Sequence, residues 1–241
     1  MLSLSIMVRV RILIVSGNGV LGMELQLSDA SLVALIEAPD FKPIDQADLE
    51  SKLGELVDPP QPVLTNIGQG MRFRIPRRGI TVGVLPDRWE IAVNPVADSR
   101  DDRSKAGRMM GDVLHTLWPQ AIAPELKALG YNYTGLADVT GETAVSRIGR
   151  AFLRSGSEGK GVASELGLPV LGASVALFLE YKPNVVLWLR FEPRGNDRKA
   201  RHIWVSANFT WENSPPLPSP LEIQAEFLAS LDFVETKLRV L

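Results

Sequence analysis

The chain has 241 residues, 45% of them hydrophobic and 22% charged, with a formal net charge of −2 and no cysteine. These proportions fit a folded globular protein large enough for one sizeable core or two small ones. Near-neutrality removes any global pull towards nucleic acid or anionic lipid, and the lack of thiols excludes disulfides, thiolate metal sites, iron–sulfur clusters and cysteine nucleophiles.

Ile6, Val8, Val10, Ile12 and Ile14 alternate with more polar neighbours, Arg9 and Arg11 among them, which predicts a half-buried strand. The same run is too short to span a bilayer and is followed by no Ala-x-Ala-like cleavage site, so a cytoplasmic protein with no membrane association is expected. Gly17-Asn18-Gly19-Val20-Leu21-Gly22 then matches the G-x-G-x-x-G dinucleotide fingerprint. Met23 to Leu27 alternates like a strand where the phosphate-binding helix should begin. The glycines therefore read as a hairpin turn centred on Asn18-Gly19, with 6–16 pairing with 20–27, and a nucleotide-dependent enzyme is the lesser alternative.

Ser28 and Asp29 cap a predicted short helix carrying Leu32, Val33, Leu35 and Ile36, ended by Pro39. Asp45 caps a second, with Leu49, Leu53 and Leu56 on one stripe, before the stiff linker Asp58-Pro59-Pro60-Gln61-Pro62. Strands follow around Phe73 and Ile75, Ile80 to Val84, and Trp89 to Val93. After the charged stretch Asp98 to Lys105, Met109, Met110, Val113, Leu114 and Leu117 share a helix face that ends near Pro119. A strand is predicted over Leu126 to Val139, a helix over Glu142 to Arg154, and a loop over Ser155 to Gly161.

Val170 to Tyr181 is apolar and β-rich, and residues 185–211 form the clearest hairpin: Val185, Leu187, Leu189 and Phe191 on one strand, Ile203, Val205, Ala207, Phe209 and Trp211 on the other. Beyond the connector Ser214 to Pro220, Ile223, Phe227, Leu231, Val234 and Leu238 make the stripe of a closing helix. The expected fold class is α+β, with mainly antiparallel sheet packed against amphipathic helices. Two similar halves, 1–124 and 125–241, are suggested by the recurrence of strands and helices, with a single compact unit as the alternative.

No residue is assigned a catalytic, cofactor-binding or metal role. Gly159-Lys160 lacks the upstream glycine of a phosphate loop, and Gly161 stands where Ser or Thr would hold magnesium. His115 and His202 have no neighbour at metal-ligand spacing, and G-x-S-x-G is absent. Arg72, Arg74, Arg77 and Arg78 form one basic cluster. Arg190, Arg194, Arg198, Lys199, Arg201 and His202 form another on the long hairpin, where Trp188 and Trp204 share the parity of Arg190 and His202. Stacking by Trp beside Arg suits unpaired bases, whereas packing and solubilisation explain the same residues without a ligand.

The words Val84-Leu85-Pro86-Asp87-Arg88-Trp89-Glu90-Ile91 and Leu129-Gly130-Tyr131-Asn132-Tyr133-Thr134, with a late strand and a helix containing Phe227 and Phe233, resemble a sporadically distributed, uncharacterised bacterial protein family of about this length. The resemblance covers residues 80–240 in layout and carries over no catalytic residue. It implies an accessory role, in conflict or phage-defence gene clusters.

The expected function is a non-catalytic protein-binding or assembly module, with a protein partner or self-association and no cofactor. Its candidate interaction residues are Trp188, Arg190, Arg201, His202 and Trp204 on the hairpin and Phe227, Leu231 and Val234 on the closing helix. Single-stranded nucleic-acid binding through the Arg/Trp hairpin is the alternative.

Overall fold

In the computed structural model the described residues are 24–37, 51, 63–67, 70–75, 79–85, 87–94, 96, 99–120, 124–139, 141–152, 174–194, 201–212 and 215–238. The strand expected over 6–16, the Gly17–Gly22 turn, the helix from Asp45 save Ser51, the proline linker, Arg77 and Arg78, and the 155–161 loop lie outside them.

Among the described residues nine strands form one sheet: β1 (Glu24–Glu37), β2 (Val63–Ile67), β3 (Gly70–Ile75), β4 (Ile80–Val84), β5 (Arg88–Val93), β6 (Glu125–Asp138), β7 (Val175–Lys182), β8 (Val185–Pro193) and β9 (His202–Trp211). Their order across the sheet is β2-β3-β4-β5-β1-β6-β9-β8-β7, and every pairing is antiparallel. The α-helices whose bounds lie among the described residues are α1 (Arg100–Leu117), α2 (Ala144–Phe152) and α3 (Pro220–Leu238). The α+β class read from the sequence is the class observed.

A strand, a meander and a helix occur twice along the chain: β1, β2–β5 and α1, then β6, β7–β9 and α3. The two sets meet where β1 pairs with β6, so hydrogen bonding is continuous across residue 124. The core lies on one face of the sheet, where alternate residues such as Leu32, Val82, Ile91, Tyr133, Leu187 and Phe209 are buried.

Helix α1 is started by Ser99, whose hydroxyl accepts from the Asp102 amide at 3.1 Å, with Asp101 and Asp102 favourably placed in its positive first turn. It crosses α3 at close range because Gly107 and Gly111 present no side chain. A Cβ on Gly111 would lie 2.7 Å from Pro220 Cα, and one on Gly107 would lie 2.8 Å from Phe227 Cδ1. Arg103 joins Glu235 of α3 at 2.8 Å, and His115 Nε2 donates to the Pro218 carbonyl at 2.8 Å. The histidine is thus a half-buried, satisfied structural group. From β6, the Tyr131 and Tyr133 hydroxyls donate to the carbonyls of Ile223 (3.2 Å) and Phe227 (2.9 Å) on α3.

The helix expected over Ser28 to Ile36 is a strand, the second part of β1. Leu32, Val33, Leu35 and Ile36 have helical spacing, but Ala30, Leu32, Ala34 and Ile36 are the buried set, and they recur every second residue. Paired on both sides by β5 and β6, the segment has its backbone bonds satisfied in the sheet, and this tertiary pairing overrides the local pattern. Ser28 and Asp29 are no helix cap: they sit at a register shift between Leu27 and Asp29, where the Asp29 carboxylate accepts from Ser28, Thr134 and Asn94. β2 was not foreseen either; five residues between Pro62 and Gly68 carry too short a pattern to read.

Candidate interaction face

Opposite the helix-covered face, the register aligns one residue from each of seven consecutive strands into a row: Phe178, Trp188, Asn208, Asn132, Ser31, Ala92 and Thr81. Side chains on one face of a sheet alternate with period two, so these positions share a face by geometry. The middle of the row is polar and internally bonded. The Thr210 hydroxyl donates to Asn208 Oδ1 at 2.5 Å, the Asn208 amide donates to Asn132 Oδ1, and the Asn132 amide donates to Ser31 Oγ at 3.3 Å. Each carbonyl in that chain receives the next group's proton, which lets three polar side chains sit side by side at low cost.

The end of the row is aromatic. Phe178 and Trp188 stack with ring centroids 5.3 Å apart and 15° between their planes, yet remain 62% and 44% exposed. β7 is the last strand of the sheet among the described residues, so no further strand flanks Phe178 on its outer side.

The structure brings four of the hairpin candidates, Trp188, Arg190, His202 and Trp204, onto this face, where their even-numbered positions on β8 and β9 alternate with the buried set. Arg201 is exposed just before β9. Arg190 forms an ion pair with Glu192, and His202 bonds Asp138 across from it. Trp204 is half-buried opposite Glu192 and Leu136. Glu180 and Glu192 oppose Val186 and Trp204 across their strands, so the two carboxylates do not meet.

The three helix candidates do not join them. Phe227, Leu231 and Val234 are 1%, 0% and 0% exposed, enclosed by α1 and the sheet, so the stripe of α3 is used by the protein's own core and presents no surface to a partner. The closing-helix part of the expected surface is corrected accordingly: a long stripe signals burial, and here the sheet and α1 supply what it buries against. Arg72 and Arg74 fall on β3.

Phe178 was missed by sequence reasoning. Its signal was the period-two alternation in Val175–Lys182, which sets Ala176, Phe178 and Glu180 on the side away from Leu177 and Leu179. The Asn132–Asn208 row was missed because strand pairing, not spacing along the chain, brings it together.

Chemically the face offers apolar and stacking contact with polar trim. Among the described residues no three His, Cys, Asp or Glu side chains form a metal-holding group, and no helix is long and apolar enough to cross a membrane. The strongly perturbed groups are Tyr131 and Tyr133, whose phenols burial pushes well above the ordinary range. Both bond helix carbonyls in the core and act as fasteners. No family model matches the chain, and the comparison with curated proteins found no similar one.

Proposed function

We propose that the protein is a non-catalytic binding module that docks a protein partner, another copy of itself included, at the β7–β8 edge of its sheet. The observation that carries this reading is the stacked Phe178–Trp188 pair, left exposed at the rim of a sheet whose other apolar residues are largely enclosed. Aromatic anchors of this kind dominate binding energy at protein interfaces, and burying each contributes about 1.5–3 kcal/mol.

Charge separates this reading from nucleic-acid binding. Arg190, beside Trp188, is already paired with Glu192, Lys182 with Glu226, and His202 with Asp138, while Glu180 stands exposed next to Phe178 on the same strand. A phosphate backbone would have to displace a carboxylate from Arg190 and from Lys182. The cytoplasm suits a chain of this composition, and an accessory role in a conflict or defence system is what the family resemblance implies.

Quantitative affinity capture tests the reading with wild type, Phe178→Ser and Leu221→Ser, the last removing a 63% exposed side chain on α3. Partners or self-copies held by wild type and the α3 variant should be lost by Phe178→Ser. Equal recovery by all three contradicts it, and retention on single-stranded oligonucleotide that weakens steeply with salt would favour the nucleic-acid alternative.

A further inference from the structure

We infer that the partner at this edge is a second copy of the chain, added antiparallel β7 to β7 about a two-fold axis at Phe178. This rests on reading the edge as a docking surface and names its occupant.

An edge strand carries a row of unpaired backbone donors and acceptors, and proteins usually guard it with lysine, proline or a bulge. β7 has no proline and no lysine before Lys182, and its only register shift lies between Glu180 and Lys182. Among the described residues nothing pairs with the outer side of 175–180, which is a bulge-free template. Both of its faces carry apolar groups: Val175, Leu177, Leu179 and Tyr181 on the core side are only half-buried, whereas Val185, Leu187, Leu189 and Phe191 beside them on β8 are buried. The core is open at this margin.

The strand is complementary to itself. An axis at Phe178 pairs residues 175–181 of β7 and sets Leu177 against Leu179, Val175 against Tyr181 and Ala176 against Glu180 of the other copy, with the two Phe178 rings adjacent. Neither glutamate faces its counterpart, so like charges are not opposed. The aromatic stack becomes four rings long, Trp188-Phe178 meeting its own mirror in sequence order, and both sheets continue into one. Moving the axis to Leu179 would instead press each Phe178 against Glu180 and bring Pro183 into the ladder. Self-recognition of this isologous type closes on itself and exhausts the edge.

Engineered cysteines read the register directly, because the chain contains none of its own. In the A176C/E180C double variant, each introduced thiol faces the other type across the axis, while the two within one strand are separated by about 13 Å and cannot bridge. Mild oxidation should convert most of this full-length double variant to a covalent dimer, whereas A176C and E180C alone, and the double variant carrying Phe178→Lys, should stay unlinked. Wild type should dissociate on dilution and Phe178→Lys should be monomeric at every concentration. A monomeric wild type with no cross-link in the double variant overturns the inference. If that chain still captures a different protein in a Phe178-dependent way, only the occupant is wrong; if it captures none, the docking reading falls with it.

Discussion

Lys182 Nζ lies 2.6 Å from Glu226 Oε1, tying the outermost strand to the closing helix, and the same ammonium sits 5.3 Å above the Trp211 ring and 5.8 Å above the Tyr181 ring. The second Glu226 oxygen is buried without a hydrogen-bond partner among the described residues. Lys182→Met strands that carboxylate, and urea denaturation should show a loss of about 1–2 kcal/mol, discounted for the partial exposure of the pair. Adding Glu226→Gln should recover part of it, giving a double-mutant cycle that is clearly non-additive.

The buried tyrosines set an alkaline limit. Their folded-state phenols titrate above the unfolded value near 10, chiefly because burial disfavours the phenolate, so the folded state holds protons that the unfolded chain releases. Their contribution is complete below pH about 10 and declines as pH rises beyond it. Tyr133→Phe removes the hydroxyl that bonds Phe227 and Ser230, costs about 1 kcal/mol at neutral pH, and flattens the alkaline limb of a stability–pH curve measured by chemical denaturation.

At the α1–α3 crossing, glycine is a packing requirement. Gly111→Ala gains helix propensity but drives a methyl against Pro220 backbone, and a net loss of about 1–3 kcal/mol is expected. Gly149→Ala on α2, where an added Cβ meets nothing within 4 Å, should stabilise the protein by up to about 1 kcal/mol. Thermal melts of the two variants should move in opposite directions.

The start of α3 is a reciprocal cap: the Ser219 amide donates to Glu222 Oε2 at 2.7 Å and the Glu222 amide to Ser219 Oγ at 3.3 Å. Ser219→Ala should cost about 1 kcal/mol in denaturant melts. Hydrogen bonds from the Ser219 backbone, then its side chain, lower the Glu222 carboxyl below its usual range. Its stabilising effect is therefore present above the unfolded carboxyl value and is lost as pH falls through the lowered one, an acid limb that Ser219→Ala should blunt.

What could be read from the chain followed the clarity of its periods. Ile80, Val82 and Val84, the β8–β9 hairpin and the α3 stripe are clean repeats of two or of roughly four, and each folds as read. The second part of β1 was misread because alanines at 30 and 34 carry half of its buried apolar face, and small residues register weakly beside Leu and Val. The site was legible only on β8 and β9, since Trp188 and Arg190 announce themselves while Phe178 gains meaning from the strand beside it. Stripe length on α3 suggested a free surface, but burial depends on which elements pack there, and Gly107 and Gly111 let α1 close over it.

We place the protein's engagement of another chain at the Phe178–Trp188 margin as a proposal open to test. Light scattering of wild type and Phe178→Ser across a concentration series tests it most directly, with circular dichroism confirming that both are folded. The wild-type mass should rise towards twice 26.4 kDa with concentration while the variant stays at 26.4 kDa. Indistinguishable masses, joined by an unchanged set of captured partners, would contradict it.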